Sequence, residues 1–315
     1  MAATIRTILM ALPVAAALAM AAPAAADWAP KQPIKVIIPF GAGGSTDVFG
    51  RVVFNEMEKM TGWKILVENR PGAGGVIGQV VVRDSKPDGH TLALSSTTVL
   101  SMQPFMPDAP KDALPESFDY VGTLSLIPYA IVAGKDAPFD DLASLAAYAK
   151  AKGPVKFSST SPTLTLAMEE IAKAAGFEIV AAQTSGSGES LQLVAGRHAD
   201  ITISGGVHVP YVTDGRMKVI ANLDDVRASY APDAKTVEEQ GAQLPFRNYF
   251  LLNGPKGLDP AAKAAIAKAL DDALRSAAVA KHAETIHVNV KNLGPEGSTE
   301  DVMAQAKKWR AHFGQ

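Results

Sequence analysis

Short β-branched runs alternate along the chain with stretches in which apolar residues recur every three or four positions. Residues 34–38 (IKVII) are one such run between prolines, and they read as a strand. A Gly-rich turn over 41–47 follows. Phe49, Val52, Val53, Met57 and Met60 then fall at helical spacing, with Thr46 or Asp47 placed to cap the helix. Residues 65–67 form a second strand, 72–75 a second Gly-rich turn, and 76–82 begin another helix. Pro87-Asp88-Gly89 is a tight turn. Residues 91–94 form a strand ending in the hydroxyl-rich Ser95-Ser96-Thr97-Thr98. Strand, turn and helix in this rhythm predict an α/β unit with a mostly parallel sheet.

Four prolines (Pro104, Pro107, Pro110, Pro115) make 103–119 an irregular connection. The α/β pattern then resumes. Strands are expected at 129–133, 155–157, 179–182, 201–204, 217–221 and 249–252, with helices at 140–151, 164–175 and 189–195. Asp259-Pro260 pairs a cap with proline at the first helical position and opens an Ala-rich helix running to about Ala280. Ser298 with Asp301 resembles a capping box for a final helix. The expected architecture is two α/β lobes joined by two crossing strands near 127–133 and 249–253. Residues 27–126 plus 249–315 would form lobe 1, and 127–248 lobe 2.

Residues 1–26 break the pattern. One charge, Arg6, precedes an apolar stretch from Ile8 to Met20, and Ala24-Ala25-Ala26 supplies a small-residue cleavage site. This reads as a secretory signal peptide cut before Asp27, and so as export to a bacterial periplasm. The apolar stretch is short and interrupted by Pro13, which argues against a membrane anchor.

Composition narrows the chemistry. The 315 residues suit about two domains at ~100–200 residues each. With 30 Lys+Arg against 32 Asp+Glu there is no basic field to hold a nucleic-acid backbone. The absence of cysteine removes disulfides, thiolate metal sites and a cysteine nucleophile. His90, His198, His208, His282, His287 and His312 show no metal-ligand spacing, so no metal is expected. The adjacent Glu169 and Glu170 point apart on a helix and read as a solvated face.

The Gly-rich turns carry more. A strand feeding a helix through such a turn aims backbone N–H groups and the positive dipole end at one point, which suits an anion without any cationic side chain. Nucleotide motifs fail: no Gly-Lys-Ser/Thr occurs, and Thr46 and Ile77 stand where the third glycine of a dinucleotide fingerprint belongs. ATP and NAD are therefore not expected, nor any other cofactor. Ser187 has Ser185 and Glu189 at the outer positions where the G-x-S-x-G of a nucleophile elbow needs glycines. The second block repeats hydroxyls and glycines at strand ends, in Ser158-Ser159-Thr160-Ser161-Pro162-Thr163, Thr184-Ser185-Gly186-Ser187-Gly188 and Ser204-Gly205-Gly206. Ligands of open α/β sheets bind at the carboxyl ends of strands. Facing lobes would thus make a cleft of neutral donors suited to a small carboxylate.

Three segments in order, Pro39-Phe40-Gly41-Ala42-Gly43-Gly44-Ser45-Thr46-Asp47, Val67-Glu68-Asn69-Arg70-Pro71-Gly72-Ala73-Gly74-Gly75 and Pro87-Asp88-Gly89-His90-Thr91-Leu92, resemble the Bug family. These are extracytoplasmic solute receptors of tripartite tricarboxylate transporters. Ser185-Gly186-Ser187-Gly188-Glu189-Ser190-Leu191, with Gly196 and Asp200, extends the resemblance. It implies a type II periplasmic-binding-protein fold that closes on a carboxylate and delivers it, as a monomer, to the membrane subunits of a transporter. It also implies ligand contacts from Phe40, Gly41, Ala42, Gly43, Gly44, Ser45, Thr46 and Asp47, and from Ser96 and Thr97 at the 95–98 strand end. The second lobe would contribute Ser159, Thr160, Ser161, Thr163, Thr184, Ser185 and Gly186. Asp47 could cap its helix instead of touching an anion, and Asn69 and Arg70 could brace the loop. The family's usual Gly-rich turn near 159–165 is here Ser159-Thr160-Ser161-Pro162-Thr163-Leu164-Thr165, which trades backbone approach for side-chain hydroxyls.

Two other readings use the same cleft. An exported hydrolase or lyase needs a Ser or Thr beside a histidine in the cleft, or a metal. A ligand-loaded sensor for a membrane signalling protein needs the same closure as a transport receptor.

Overall fold

The computed structural model describes residues 28–107, 109–224, 227–242 and 247–314; the expected signal peptide and its cleavage site lie outside these residues. In chain order the strands are β1 (Ile34–Ile38), β2 (Ile65–Asn69), β3 (Thr91–Ser96), β4 (Phe118–Leu126), β5 (Tyr129–Gly134), β6 (Val155–Ser159), β7 (Ile179–Gln183), β8 (Ile201–Gly205), β9 (Met217–Asn222) and β10 (Tyr249–Pro255). The helices are α1 (Ser45–Thr61), α2 (Val76–Arg83), α3 (Thr97–Ser101), α4 (Leu142–Lys152), α5 (Pro162–Ala175), α6 (Ser187–Ala195), α7 (Val209–Thr213), α8 (Pro260–Leu274), α9 (Ala277–Thr285) and α10 (Gly294–His312).

The strands form two five-stranded sheets of matching order, β2-β1-β3-β10-β4 and β7-β6-β8-β5-β9. In each, four strands run in one direction and the fourth in the order, β10 or β5, is antiparallel to both its neighbours. The sheets are therefore mixed, with one reversed strand in an otherwise parallel set. The cause is the path of the chain: it leaves the first sheet from β4 straight into β5 and returns from β9 to β10. Each crossing brings a strand in reversed beside its neighbours.

Parallel strands β1 and β3 are buried over most of their length, and Val36, Ile37 and Ile38 in β1 and Leu92, Ala93 and Leu94 in β3 form continuous apolar runs instead of alternating. Helix α1 lays Phe49, Val53, Phe54 and Met57 against the first sheet. Burying a side chain of that size is worth about 1.5–3 kcal/mol. Helices α8 and α9 pack on α1, and α10 packs on β4 and α3, which returns the C-terminal helices to the first sheet. Near its end, α10 also places Ala306 and Trp309 in the core of the second sheet, with Met102 and Phe105.

Several local expectations are corrected. Strand β4 begins three residues after Pro115, so the irregular connection ends earlier than its prolines suggest. The Ala-rich helix does not reach Ala280: it stops at Leu274, and Ser276 caps α9 by accepting from Val279 N–H at 3.2 Å. Asp259 does cap α8, accepting from Ala262 N–H at 2.9 Å, with Pro260 in its first turn. The final helix starts at Gly294, with Pro295 in its first turn, so Ser298 is an interior, fully buried residue and no capping box forms. Residues Thr97 and Thr98 open α3 instead of ending a strand. The N-cap of α1 is Gly44, and neither Thr46 nor Asp47 fills that position. Glu169 and Glu170 are exposed on α5 as expected.

Candidate functional site

The loop from β1 to α1 is held open by an acid in the first turn of its own helix. Asp47 is buried, and its Oδ2 accepts from Gly43 N–H at 2.9 Å while Oδ1 accepts from Arg51 Nε at 2.8 Å and Asn69 Nδ2 at 3.0 Å. Asn69 Nδ2 also donates to the Phe40 carbonyl at 3.0 Å. Gly43 carries φ +74°, a conformation that favours glycine and lets its N–H turn back to Asp47. Asp47 is thus a brace, as is Asn69. Arg70 instead pairs with Glu68 through Nε at 2.7 Å.

The loop from β7 to α6 uses the same device. Glu189 Oε2 accepts from Ser185 N–H at 2.7 Å and from Ser185 Oγ at 2.6 Å, and these bonds hold its carboxyl below the usual range. In both loops an acid in the first helical turn reaches back four residues to a backbone N–H.

Between β6 and α5, Ser161 caps the helix by accepting from Leu164 N–H at 3.3 Å. The hydroxyls around it engage one another. Ser161 and Thr163 lie 2.9 Å apart, Ser159 Oγ donates to the Ser161 carbonyl at 2.9 Å, and Thr165 Oγ1 donates to Ser159 Oγ at 2.8 Å. Ser159 and Thr163 are therefore buried members of a network that fixes the turn.

The two Gly-rich loops meet. Gly41 N–H donates to the Ser185 carbonyl at 2.6 Å, and Ser45 Oγ lies 3.4 Å from Ser187 Oγ. A Cβ on Gly186 would approach the Gly41 backbone at 3.3 Å, so neither position has room for a side chain without movement. Behind this contact lies a small cavity of about 30 Å³. A water needs roughly 10–15 Å³ measured this way, so the cavity suits a group the size of a carboxylate head.

The cavity is lined by Phe40, Gly44, Ser45, Thr46, Ser96, Ile127, Tyr129, Thr160, Ser161, Gly186, Ser187 and Phe250. Four of these are helix N-caps: Gly44 of α1, Ser96 of α3, Ser161 of α5 and Gly186 of α6. Helix N-termini present unpaired N–H groups and the positive end of the dipole, so four of them around one space create an anion-favouring potential. Among the described residues no lysine, arginine or histidine is in the lining. A wider groove of about 500 Å³ opens beside it between Pro39, Phe40, the 71–75 turn, Thr160, Pro162 and residues 183–185. Gln103 fixes one wall, donating through Nε2 to the Ala73 carbonyl at 2.7 Å.

Of the residues expected from the sequence, Phe40, Gly44, Ser45, Thr46, Ser96, Thr160, Ser161 and Gly186 border the cavity. Thr184 and Ser185 border the groove. Gly41 makes the contact between the loops, Ala42 and Gly43 lie in the β1–α1 loop outside the cavity lining, and Thr97 turns inward to donate to Asn248 Oδ1 at 3.0 Å. Ile127, Tyr129, Ser187 and Phe250 were not expected. Tyr129 and Phe250 sit at the starts of β5 and β10, the strands entered by the crossings, so their proximity depends on tertiary structure. Ser187 follows directly on Gly186, so its place in the same Gly-rich turn is the local signal that points to it.

Among the described residues the cavity lining holds no histidine beside its serines and threonines to act as a base. Ser229 Oγ lies 2.7 Å from His287 Nδ1, but this exposed pair is not in the cavity lining. Among the described residues no group of three or more His, Cys, Asp or Glu could hold a metal ion, and no helix is long and apolar enough to cross a membrane.

Comparison with known proteins places these features in a family. Residues 49–311 match the family described as "Tripartite tricarboxylate transporter family receptor". Protein BugT of Bordetella pertussis is 33% identical over 272 residues, covering 82% of this chain and 82% of BugT. A protein from Cupriavidus necator, described as "UPF0065 protein in gbd 5'region", is 33% identical over 263 residues, 82% of this chain and 78% of its own length. In three dimensions the chain superposes on the periplasmic binding protein BugD with a TM-score of 0.84 at 23% identity, covering 91% of this chain and 98% of BugD. It superposes on MatC from Rhodopseudomonas palustris, solved with bound malate, with a TM-score of 0.81 at 24% identity, covering 90% and 99%. These superpositions establish the fold as the two-lobed one of periplasmic binding proteins, as the sequence motifs implied.

Proposed function

The chain belongs to the tripartite tricarboxylate transporter receptor family, and from that premise we propose that it captures a small organic acid between two lobes and delivers it to the membrane subunits of such a transporter. Members of this family are solute receptors, not enzymes, so the hydrolase or lyase reading falls away. The acid's carboxylate sits in the cavity under the β1–α1 and β7–α6 loops. The contacting groups are Ser45, Thr46, Ser96, Thr160, Ser161 and the backbone around Gly44 and Gly186. Lobe 1 is residues 27–126 plus 249–315 and lobe 2 is 127–248. Their closure brings Gly41 onto Ser185 and excludes water from the bound acid. Residues 1–26 direct export to the periplasm and are removed there; the mature protein acts as a monomer.

The observation that carries this reading is the convergence of four helix N-caps on one cavity without a cationic side chain. Such a site neutralises an anion with fixed dipoles and keeps no net positive charge when empty.

The reading is tested by a thermal-shift screen of mono-, di- and tricarboxylates, with native mass spectrometry of the freshly purified protein. A true ligand at 100-fold excess over its Kd stabilises the folded state by about 2.7 kcal/mol. A folded protein whose melting temperature responds to no organic acid, and which retains none on purification, would refute it.

A further inference from the structure

We infer that the Tyr129 hydroxyl is a ligand-binding donor that gives its proton to the anionic group held in the cavity, and that Asn248 is the positioning residue that frees this proton. The inference rests on the functional reading above and adds a residue that neither the sequence motifs nor the helix N-caps supply.

One chain of hydrogen bonds, its direction fixed at each step, leads to the phenol. Tyr249 N–H can only donate, and it donates to Thr97 Oγ1 at 3.1 Å. The Thr97 hydroxyl gives its own proton to Asn248 Oδ1 at 3.0 Å. Thr98 N–H also donates to Asn248 Oδ1, at 3.2 Å. A backbone N–H has no acceptor role, so the oxygen of the Asn248 amide must face Thr98 and the orientation of the amide is not open to choice. Asn248 Nδ2 therefore faces Tyr129 and donates to its Oη at 2.9 Å.

The phenol oxygen is thus an acceptor in this chain, which leaves its proton to be given elsewhere. No acceptor for that proton is found among the described residues, and Tyr129 lines the cavity. A spare donor on a residue that lines an otherwise neutral cavity needs an oxygen partner, and a carboxylate supplies one. Burial also raises the Tyr129 pKa, so the phenol stays protonated at neutral pH. Hydrogen bonds that feed into one another polarise the last donor, and here three donors precede it.

The location adds a second role. Ile127 N–H donates to the Asn248 carbonyl at 2.8 Å, so this residue ties the outgoing crossing to the returning one. Tyr129 opens β5 and Asn248 immediately precedes β10. The donor therefore sits where the two crossings meet, a region that moves least when lobes swing apart. A ligand would meet it before the Gly-rich loops close.

Isothermal titration of the full mature chain with succinate, malate, adipate and citrate tests the inference on wild type, Tyr129→Phe and Asn248→Asp. A hydrogen bond to a charged group contributes about 1.5–3 kcal/mol, so Tyr129→Phe is expected to weaken the acid that wild type binds by about 10- to 150-fold. Asn248→Asp replaces the amide donor with an acceptor that takes the Tyr129 proton for itself, so it should weaken the same acid while keeping the phenol. A purely structural Tyr129 would lower the melting temperature of the ligand-free protein and leave Kd unchanged. Tyr129→Phe binding within twofold of wild type overturns the donor alone. Wild type binding none of the acids overturns the functional reading and the donor with it.

Discussion

The contact between Gly41 and Ser185 offers a way to separate closure from folding. Gly41 lies outside the left-handed region, so alanine there carries no backbone strain. Its methyl would sit 3.0 Å from Ser185 Oγ, 3.1 Å from the Ser185 carbonyl oxygen and 3.3 Å from the carbonyl carbon. The hydroxyl can rotate away, but the backbone carbonyl cannot. The loops must then part by a few tenths of an ångström, which stretches the 2.6 Å bond from Gly41 N–H. Losing most of one hydrogen bond costs about 0.5–1.5 kcal/mol, and lost contact between the loops brings the total to about 1–2 kcal/mol, a factor of roughly 5–30 in the closed population. Apparent Kd rises by the same factor where the closed form carries the affinity. The ligand-free melting temperature should stay within about a degree, because the open form accommodates the methyl. Gly62→Ala is the control. Gly62 ends α1 at φ +73° with open space around it, so alanine there costs about 1–2 kcal/mol of fold stability. It should lower the melting temperature by several degrees and leave Kd unaltered. Calorimetric titration and thermal melts on both variants decide the matter. Gly41→Ala binding with wild-type affinity would refute the reasoning, as would a melting loss equal to that of Gly62→Ala.

Two further outcomes are expected. Asp47→Ala removes the acceptor that Gly43 N–H, Arg51 Nε and Asn69 Nδ2 share and should destabilise the fold by about 2 kcal/mol in urea titration; an unchanged midpoint would show that the loop holds its shape without the brace. His208 is buried, and burial lowers its pKa to about 3. Gly206 N–H donates to its Nδ1 at 3.3 Å, so Nε2–H donates to Tyr230 Oη at 2.6 Å and the ring is neutral. The unfolded chain takes up the proton near pH 6.5. The stability tied to this group is therefore complete above about pH 6.5 and declines as pH falls towards 3, by up to ~1.4 kcal/mol per pH unit. His208→Gln should remove that slope from urea melts at pH 7, 6 and 5, and an identical slope in the variant would contradict the assignment.

The sequence alone determined the elements that repeat a local pattern. β-branched runs between turn residues gave the strands, helical spacing gave α1, α4 and α5, and Asp259-Pro260 marked the start of α8. It also placed glycines and hydroxyls between strand and helix, the local arrangement that suits an anion, but not the partners that take up the N–H groups of Gly41, Gly43 and Ser185. The three motifs identified the family for the same reason: they are local and contiguous. Other features depended on partners distant in the chain. Strand β4 lies just beyond a proline-rich stretch and is stabilised by pairing with β10, more than a hundred residues later. The reversed strand in each sheet follows from the two crossings and leaves no mark in local periodicity. Asp47 and Thr97 look like ligand contacts in a linear motif, yet the first is held by Arg51, Asn69 and Gly43 and the second by Asn248. Tyr129 and Phe250 look like ordinary strand residues, and only the meeting of the two crossings brings them to the cavity. Hydrogen-bond capacity is a property of the residue, whereas the direction in which it is used is set by neighbours that only folding supplies.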